Sequence, residues 1–484
     1  ATAPPEVQKT VADHADNDRM TFSLTTNYIP TTWFTHRLVA GMDINAENNS
    51  LLYPRDPLGT LSLFGSLGTG SKRVERAARN FLTLDYSGAA KYSRGENLQF
   101  KTAVGAQYYR REFSTISATG TNFPAIPITT VSGGATLTGT EDYPANATLG
   151  VYIEQQAAWN NRVFLTAAVR GDDNSSFGKE FKAAYYPKLS GAWVISEEPF
   201  WKKVKYVKEL RLRAAWGAAG TQPGTFDAAR LYNPDVGYKD QPSLVPSSFG
   251  NPALKPERSE ELEGGFEALL FDGRLDLNYS HYSRSIKDAI VNKPLPPSLG
   301  FPGSQIVNIG AVKGWGDELS ASYHVIERKN FSWDVGGQYS TNGNRIDALG
   351  GLTFITVGQG GQAQNRVGFS IGDIFMYKIL SAKIDATGAV TESICDGGTG
   401  LAGLEPGGTP VPCAQAPRVR WGHSQPTWTM GLNTSVTLFK SLRLFLQVDG
   451  NGGHYMDDTE IRALHNLGLS KAVILRDDPF LQAY

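Results

Sequence analysis

Leu82-Thr83-Leu84-Asp85-Tyr86-Ser87-Gly88-Ala89-Ala90-Lys91-Tyr92 runs into Ser93-Arg94-Gly95-Glu96-Asn97 and then into Leu98-Gln99-Phe100-Lys101-Thr102-Ala103-Val104-Gly105-Ala106-Gln107-Tyr108-Tyr109. Leu82, Leu84, Tyr86, Gly88, Ala90 and Tyr92 alternate with Thr83, Asp85, Ser87, Ala89 and Lys91. Successive side chains of an extended chain point to opposite faces, so this stretch has one apolar and one wettable face. After the Gly/Asn turn the same alternation returns, and the two runs read as a β-hairpin.

The construction recurs along almost the whole chain. Leu262, Phe266, Ala268 and Leu270 oppose Glu261, Glu263 and Glu267; then comes Asp272-Gly273, and Leu275, Leu277 and Tyr279 oppose Asp276, Asn278 and Ser280. Asp-Gly suits a tight hairpin turn because both residues tolerate positive φ. Further hairpins are expected over residues 149–159 with 163–170, 319–325 with 331–339, and 428–438 with 442–448. About sixteen such runs are expected, each near the 9–11 residues of a tilted membrane strand. Long Gly/Ser/Thr/Pro-rich excursions are expected at roughly 111–145, 218–258, 284–306 and 343–425. Short turns at one end and long loops at the other are the asymmetry of an outer-membrane barrel, whereas a soluble sandwich or propeller spreads loop length evenly. Aromatic residues near the ends of the runs (Tyr28, Trp33, Phe34, Tyr92, Tyr108, Trp159, Trp333, Trp428) fit interface girdles as a group, although each alone is an ordinary strand former. The fold class read from this is all-β: a large antiparallel transmembrane barrel with short periplasmic turns and long extracellular loops.

Composition narrows the function. The 484 residues carry 46 Lys+Arg against 47 Asp+Glu, a formal net charge of −1, which removes the electrostatic case for a nucleic-acid partner. A hydrophobic fraction of 40% fits a soluble β protein and a polar-lumened barrel equally. No run approaches the roughly 20 apolar residues of a membrane helix, so any crossing is made by strands. No secretory signal pattern is visible at Ala1-Thr2-Ala3-Pro4-Pro5. The two cysteines, Cys395 and Cys413, flank a Gly/Pro/Thr-rich segment with little apolar content. They are read either as a disulfide, contributing roughly 3 kcal/mol and implying an oxidising compartment, or as two loop thiols.

The candidate chemical motifs fare poorly. Gly368-Phe369-Ser370-Ile371-Gly372 matches a nucleophile elbow, but strand-forming Asp373-Ile374-Phe375-Met376-Tyr377 follows where a helix is required. The histidines at 14, 36, 281, 324, 423, 454 and 465 include no pair at metal-ligand spacing. Asp172-Asp173-Asn174 lacks the spacing of a calcium loop and reads as a solvated tip. Glu261, Glu263, Glu267, Asp276, Lys101, Asp85, Lys91 and Arg443 are expected on the inward face, as the polar partners that a wet or plugged lumen requires. No catalytic residue, metal ligand or cofactor is assigned.

Several segments resemble the SusC/RagA-like TonB-dependent receptors, in that family's order. Gly250-Asn251-Pro252-Ala253-Leu254-Lys255-Pro256-Glu257 is similar to the family's GNPxLKPE stretch, and Asn308-Ile309-Gly310-Ala311-Val312-Lys313-Gly314-Trp315-Gly316-Asp317-Glu318-Leu319 is similar to its NIGxVxNxGxEL block. Residues 170–178, 193–200, 210–220, 368–377 and 422–431 resemble further blocks. The resemblance implies residues 21–484 as barrel after a loop-like N-terminal segment 1–20, with the plug and the last strands of a roughly 22-stranded family barrel outside the chain. It implies bacterial outer-membrane localisation and import of an oligosaccharide or peptide, energised by TonB through the plug. A SusD-like lipoprotein would be the partner and outer-membrane lipid the surroundings. A passive porin or structural barrel is the alternative, and a soluble glycan-binding β protein a more remote one. Tyr232, Tyr238 and Phe301, on aromatic-bearing loops, are the candidates for substrate contact.

Overall fold

The computed structural model describes residues 11–56, 68–181, 183–202, 204–299, 303–357, 361–385 and 390–456. Among them there is no α-helix; strands joined by turns, loops and short 3-10 segments make up the fold. Fourteen strands form one continuous antiparallel meander: β1 (Ala12–Thr31), β2 (Phe34–Tyr53), β3 (Ser71–Arg94), β4 (Leu98–Thr121), β5 (Ala145–Trp159), β6 (Val163–Asn174), β7 (Ala184–Val194), β8 (Val207–Thr221), β9 (Glu257–Leu270), β10 (Leu275–Pro294), β11 (Ser304–Arg328), β12 (Phe331–Leu349), β13 (Trp428–Leu438) and β14 (Leu442–Gly452). Thr136–Asp142 adds a further strand on the upper part of β4. Among the described residues β1 pairs only with β2, and β14 only with β13.

The register turns the period-two sequence pattern into two surfaces. Directly paired residues share a face, so Leu38, Tyr86, Ala106, Val151 and Gly171 form one outward row. Leu212, Phe266, Tyr279, Leu319, Tyr339 and Met430 form another. Many of these outward apolar side chains are open, Leu165 and Leu262 at 58% and Leu446 at 61%. A contiguous apolar band of this extent would be an aggregation surface in water and is the expected surface against lipid. The alternate positions carry the polar and charged residues, including all eight of those expected to face inward.

Short connections lie at one end of the meander: residues 32–33, 95–97, 160–162, 271–274, 329–330 and 439–441, with 195–206 longer. Asn160 and Asn161 adopt φ of 50° and 57°, the left-handed region that asparagine tolerates best among side-chain-bearing residues. Asp272-Gly273 is not the tight two-residue turn expected. Phe271, Asp272 and Gly273 all have positive φ, and Leu270 pairs with Leu275 across a longer loop.

Three expectations are corrected. The strands are longer than read from sequence, from 11 residues in β7 to 25 in β11, and among the described residues fourteen form the continuous wall. The excursions shrink to 122–144, 222–256, 295–303 and 350–427, because β4, β8, β10, β11 and β12 continue through Gly/Ser/Thr-rich sequence that had been assigned to loops. Above the membrane neither face meets lipid, so apolar alternation disappears while the backbone ladder persists. Finally, β1 begins at Ala12, so residues 12–20 are strand rather than loop.

Candidate lumenal wall and capping loops

The inward face is a ladder of coupled charges. On β8 and β9, Arg211 donates through Nη1 to Glu267 Oε2 (3.2 Å), and Arg213 lies 3.5 Å from Glu267 and 3.7 Å from Glu263. Ser280 of β10 accepts from Arg213 and donates to Glu263 (3.0 Å). Higher on the same strands Arg284 Nε donates to Glu261 (2.6 Å). Asp85 accepts from Gln107 (3.2 Å), which accepts from Arg170 (3.0 Å), which in turn donates to Asp172 (2.8 Å). The Asp172-Asp173-Asn174 segment thus belongs to β6 rather than to a loop tip. Lys91 and Lys101 stand directly opposite each other. Exposed pairs of this kind are individually worth about 0–1 kcal/mol, so the ladder makes the surface wettable more than it stabilises the wall.

The best-buried side chains lie above the membrane band, not within it: Phe123, Leu254, Ile346, Phe375, Val419 and Cys395 are all 1% exposed or less. Much of this core belongs to the 350–427 excursion, which builds two small sheets. Ile355–Thr356, Ala363–Asn365, Asp373–Met376 and Val419–Gly422 form one, and Ile379–Ile384, Val390–Asp396 and Pro410–Pro412 the other. Cys395 and Cys413 form a disulfide with Cα atoms 4.8 Å apart, so the disulfide reading of the two cysteines holds. Beside it the carboxylate of Asp396, 2% exposed, accepts from the backbone amides of Gly407 (2.6 Å), Gly398 (2.9 Å) and Gly408 (2.9 Å). Burial alone would raise its pKa; the three amides outweigh it and hold the carboxyl below the usual range.

Asp373, fully buried, accepts from Arg420 Nε (2.7 Å), lies 3.1 Å from His423 Nδ1 and accepts from the Ser370 amide (3.2 Å). Arg366 stacks between Phe354 (4.6 Å) and Phe375 (4.9 Å), and its burial lowers its pKa. The Gly-x-Ser-x-Gly stretch is a backbone crimp. Gly368 and Gly372 take φ of 90° and 69°, Ser370 Oγ donates to Asn344 O (2.8 Å), and a strand rather than a helix follows. Sequence reasoning missed the Asp373–Arg420–His423 and Asp396 clusters, whose partners lie up to 50 residues apart and carry no spacing signal.

The two family-like blocks form one clamp. Asn308 Oδ1 accepts from the Lys255 amide (3.1 Å), while its Nδ2 donates to Lys255 O (2.8 Å) and Asp288 O (3.0 Å). Asn251 Nδ2 donates to Ile306 O (3.1 Å), Gln305 donates to Gly250 O (2.6 Å), and Lys255 Nζ pairs with Asp288 (2.9 Å). Leu254, 0% exposed, is the apolar pin. The clamp holds the base of the 222–256 excursion, whose arm is the hairpin Leu231–Val236 with Pro242–Ser248. Tyr232 sits in the arm's first strand and Tyr238, 85% exposed, at its tip under Lys239. Phe301 lies outside the described residues.

Four histidines lie against aspartates: His14 with Asp16, His281 with Asp317, His324 with Asp334 and His423 with Asp373. No group of three His, Cys, Asp or Glu that could hold a metal occurs among the described residues.

Comparison with known proteins agrees with this architecture. Residues 3–372 match the family described as TonB dependent receptor-like, beta-barrel. TonB-dependent receptor P3 of Formosa agariphila is 26% identical over 394 residues, 78% of this chain and 38% of that protein. TonB-dependent receptor SusC of Bacteroides thetaiotaomicron is 30% identical over 200 residues, 40% of this chain and 20% of that protein. In three dimensions the chain is similar to the RagAB peptide transporter, with a TM-score of 0.79 at 20% identity, covering 93% of this chain and 49% of the other. The chain thus spans well under half the length of these curated relatives and about half of that solved chain. An outward lipid-facing band, an inward charged ladder and a one-sided loop layer lead to the same place as the matches: this chain belongs to the TonB-dependent receptor β-barrel family of the outer membrane.

Proposed function

We propose that the chain is the wall of an importer that brings an oligosaccharide or a peptide across the outer membrane. In this reading the whole receptor is energised by TonB through a plug and works with a SusD-like surface lipoprotein. The observation that carries it is the pairing of a lipid-matched outer band with an inward charged ladder beneath a packed loop layer, in a chain of this family. The wall performs no covalent chemistry; it presents a wettable surface and holds the loops in place. Tyr232 and Tyr238, on the protruding arm, are the proposed stacking contacts for substrate, since an aromatic face can pack on a sugar ring or an apolar side chain.

The test is uptake in cells that carry the full-length receptor or lack it, across labelled oligosaccharides and peptides, with and without a proton-motive force. One substrate class should be lost with the receptor and on de-energisation. Uptake that continues in de-energised cells would identify a passive pore instead.

A further inference from the structure

Just above the apolar band, four neighbouring strands present cations to the outside. The outward row of β11 reads Tyr323, Ala321, Leu319, Asp317, Trp315 and then Lys313, with uninterrupted pairing to β12. Lys313 therefore points outward two residues above Trp315, and its direct partner Arg345 points outward beside it. On β9 and β10, Arg258 lies four residues above outward Leu262 and faces Lys287 directly. Strands stand roughly 4.8 Å apart, so the four cations cover a patch roughly 15 Å wide.

Their own acids neutralise them only in part. Asp347 takes Lys313 Nζ (3.1 Å) and Arg345 Nε (2.8 Å) together, Glu260 takes Arg258 Nε (2.9 Å), and exposed Lys287 makes no ion pair among the described residues. At the corresponding height β1 and β2 present Asp16, Asp18, Ala46 and Asn48 outward. Lys72 and Arg76 on β3 and Arg110, paired with Glu112, on β4 also face outward, whereas this sector gathers four cations on four adjacent strands.

We infer that Arg258, Lys287, Lys313 and Arg345 form a binding site for the phosphorylated headgroup of an outer-leaflet lipid. Cations facing outward at the top of a membrane band meet headgroups rather than bulk water, and phosphate suits both a guanidinium fork and an ammonium point charge. Leu262 and Trp315 face outward below the cations, and past Ser283, His281 and Asp317 the apolar row of Phe266, Tyr279, Leu319 and Tyr339 receives the acyl chains of the same molecule. Free phosphate shares the headgroup chemistry but has no use for the band.

The test uses the full-length receptor in detergent, with retained lipid read by native mass spectrometry. The probes are a phosphorylated glycolipid, the same lipid after dephosphorylation, and inorganic phosphate as competitor. Each lysine near an anionic surface is worth roughly fivefold in affinity, so Lys287→Ala with Lys313→Ala should weaken retention of the phosphorylated lipid roughly 25-fold. Lys287→Arg with Lys313→Arg should keep it, and Lys329→Ala at the opposite end should leave it unchanged. Retention by the native receptor should also fall as salt rises from about 0.05 M to about 0.5 M, a reading that needs no variant to fold. Undiminished retention by the alanine pair, equal retention of the dephosphorylated lipid, or salt-independent retention would each overturn the site. Displacement of the lipid by an equal concentration of inorganic phosphate would reduce it to a free-anion site and overturn the lipid assignment.

Discussion

Asn308→Ala isolates the clamp between the two family-like blocks. The wild-type amide makes three hydrogen bonds, one accepted from the Lys255 amide and two donated to the carbonyls of Lys255 and Asp288. Each is worth about 1 kcal/mol net, and a half-buried site lets water recover part of the loss, so the local cost is about 2–3 kcal/mol. That is roughly a 30- to 150-fold rise in the opening constant of residues 250–256. Asn308→Asp keeps the acceptor but aims a carboxylate at two carbonyls, and should open the segment at least as far. The assay is hydrogen exchange by mass spectrometry on the full-length receptor in detergent, comparing peptides from 222–256 with peptides from β9 to β12. Unchanged protection of 250–256 in the alanine variant would refute the clamp. So would a loss spread evenly over those strands, because it would mean that Asn308 supports the wall rather than the base of the arm.

Replacing Cys395 and Cys413 together by serine should cost the 350–427 excursion about 3 kcal/mol; proteolysis should cut between the two positions while the strand fragments stay intact. Asp396 binds its proton more weakly when folded, so its contribution is fully present above the ordinary carboxyl pKa and is lost as pH falls through its depressed folded value. As pH falls below the ordinary carboxyl range the excursion should therefore become sensitive to pepsin, whereas Asp396→Asn should be sensitive throughout and show no such step. Lys440, at φ 63° in the turn between β13 and β14, carries a left-handed backbone that glycine adopts without penalty, so Lys440→Gly should raise stability in urea by about 1 kcal/mol. Removing both proposed aromatic contacts, Tyr232→Ala with Tyr238→Ala, should weaken substrate binding at least tenfold, read by calorimetry with the substrate found in the uptake panel; unchanged affinity would remove the arm from recognition.

The membrane band was legible because lipid on one side and water on the other impose a strict period of two. Leu82 to Tyr92 and Leu262 to Leu270 carry that constraint residue by residue, and even the pairing of Trp428–Leu438 with Leu442–Val448 could be placed, the structure extending the second strand to Gly452. The strand tops were not legible, because from residue 111 onward in β4 both faces are wet and Ser, Thr and Gly serve on either. The loop layer was legible only at its covalent staple. Asp373 meets Arg420 and His423 through folding of an excursion whose spacing has no periodicity, and Asp396 is held by backbone amides that no side-chain pattern announces. The family-like blocks were visible as sequence, but only their hydrogen bonds across the fold show that Asn251 and Asn308 are two jaws of one device.

The overlong strands bear on how such a wall can change by descent. β3, β4 and β11 run to 24, 24 and 25 residues, where a crossing needs about 9–11. Within the lipid zone, gaining or losing one residue reverses every side chain beyond it and puts charge against hydrocarbon. In the surplus above, the same slip exchanges one wet face for another. Insertions and deletions there cost less wherever no side chain is packed or paired, as Ile346 and Asn308 are, and those of two residues preserve even the facing pattern. The parapet can therefore rise or fall in even steps, repositioning whatever stands on it, while the submerged half of each strand remains under strict selection.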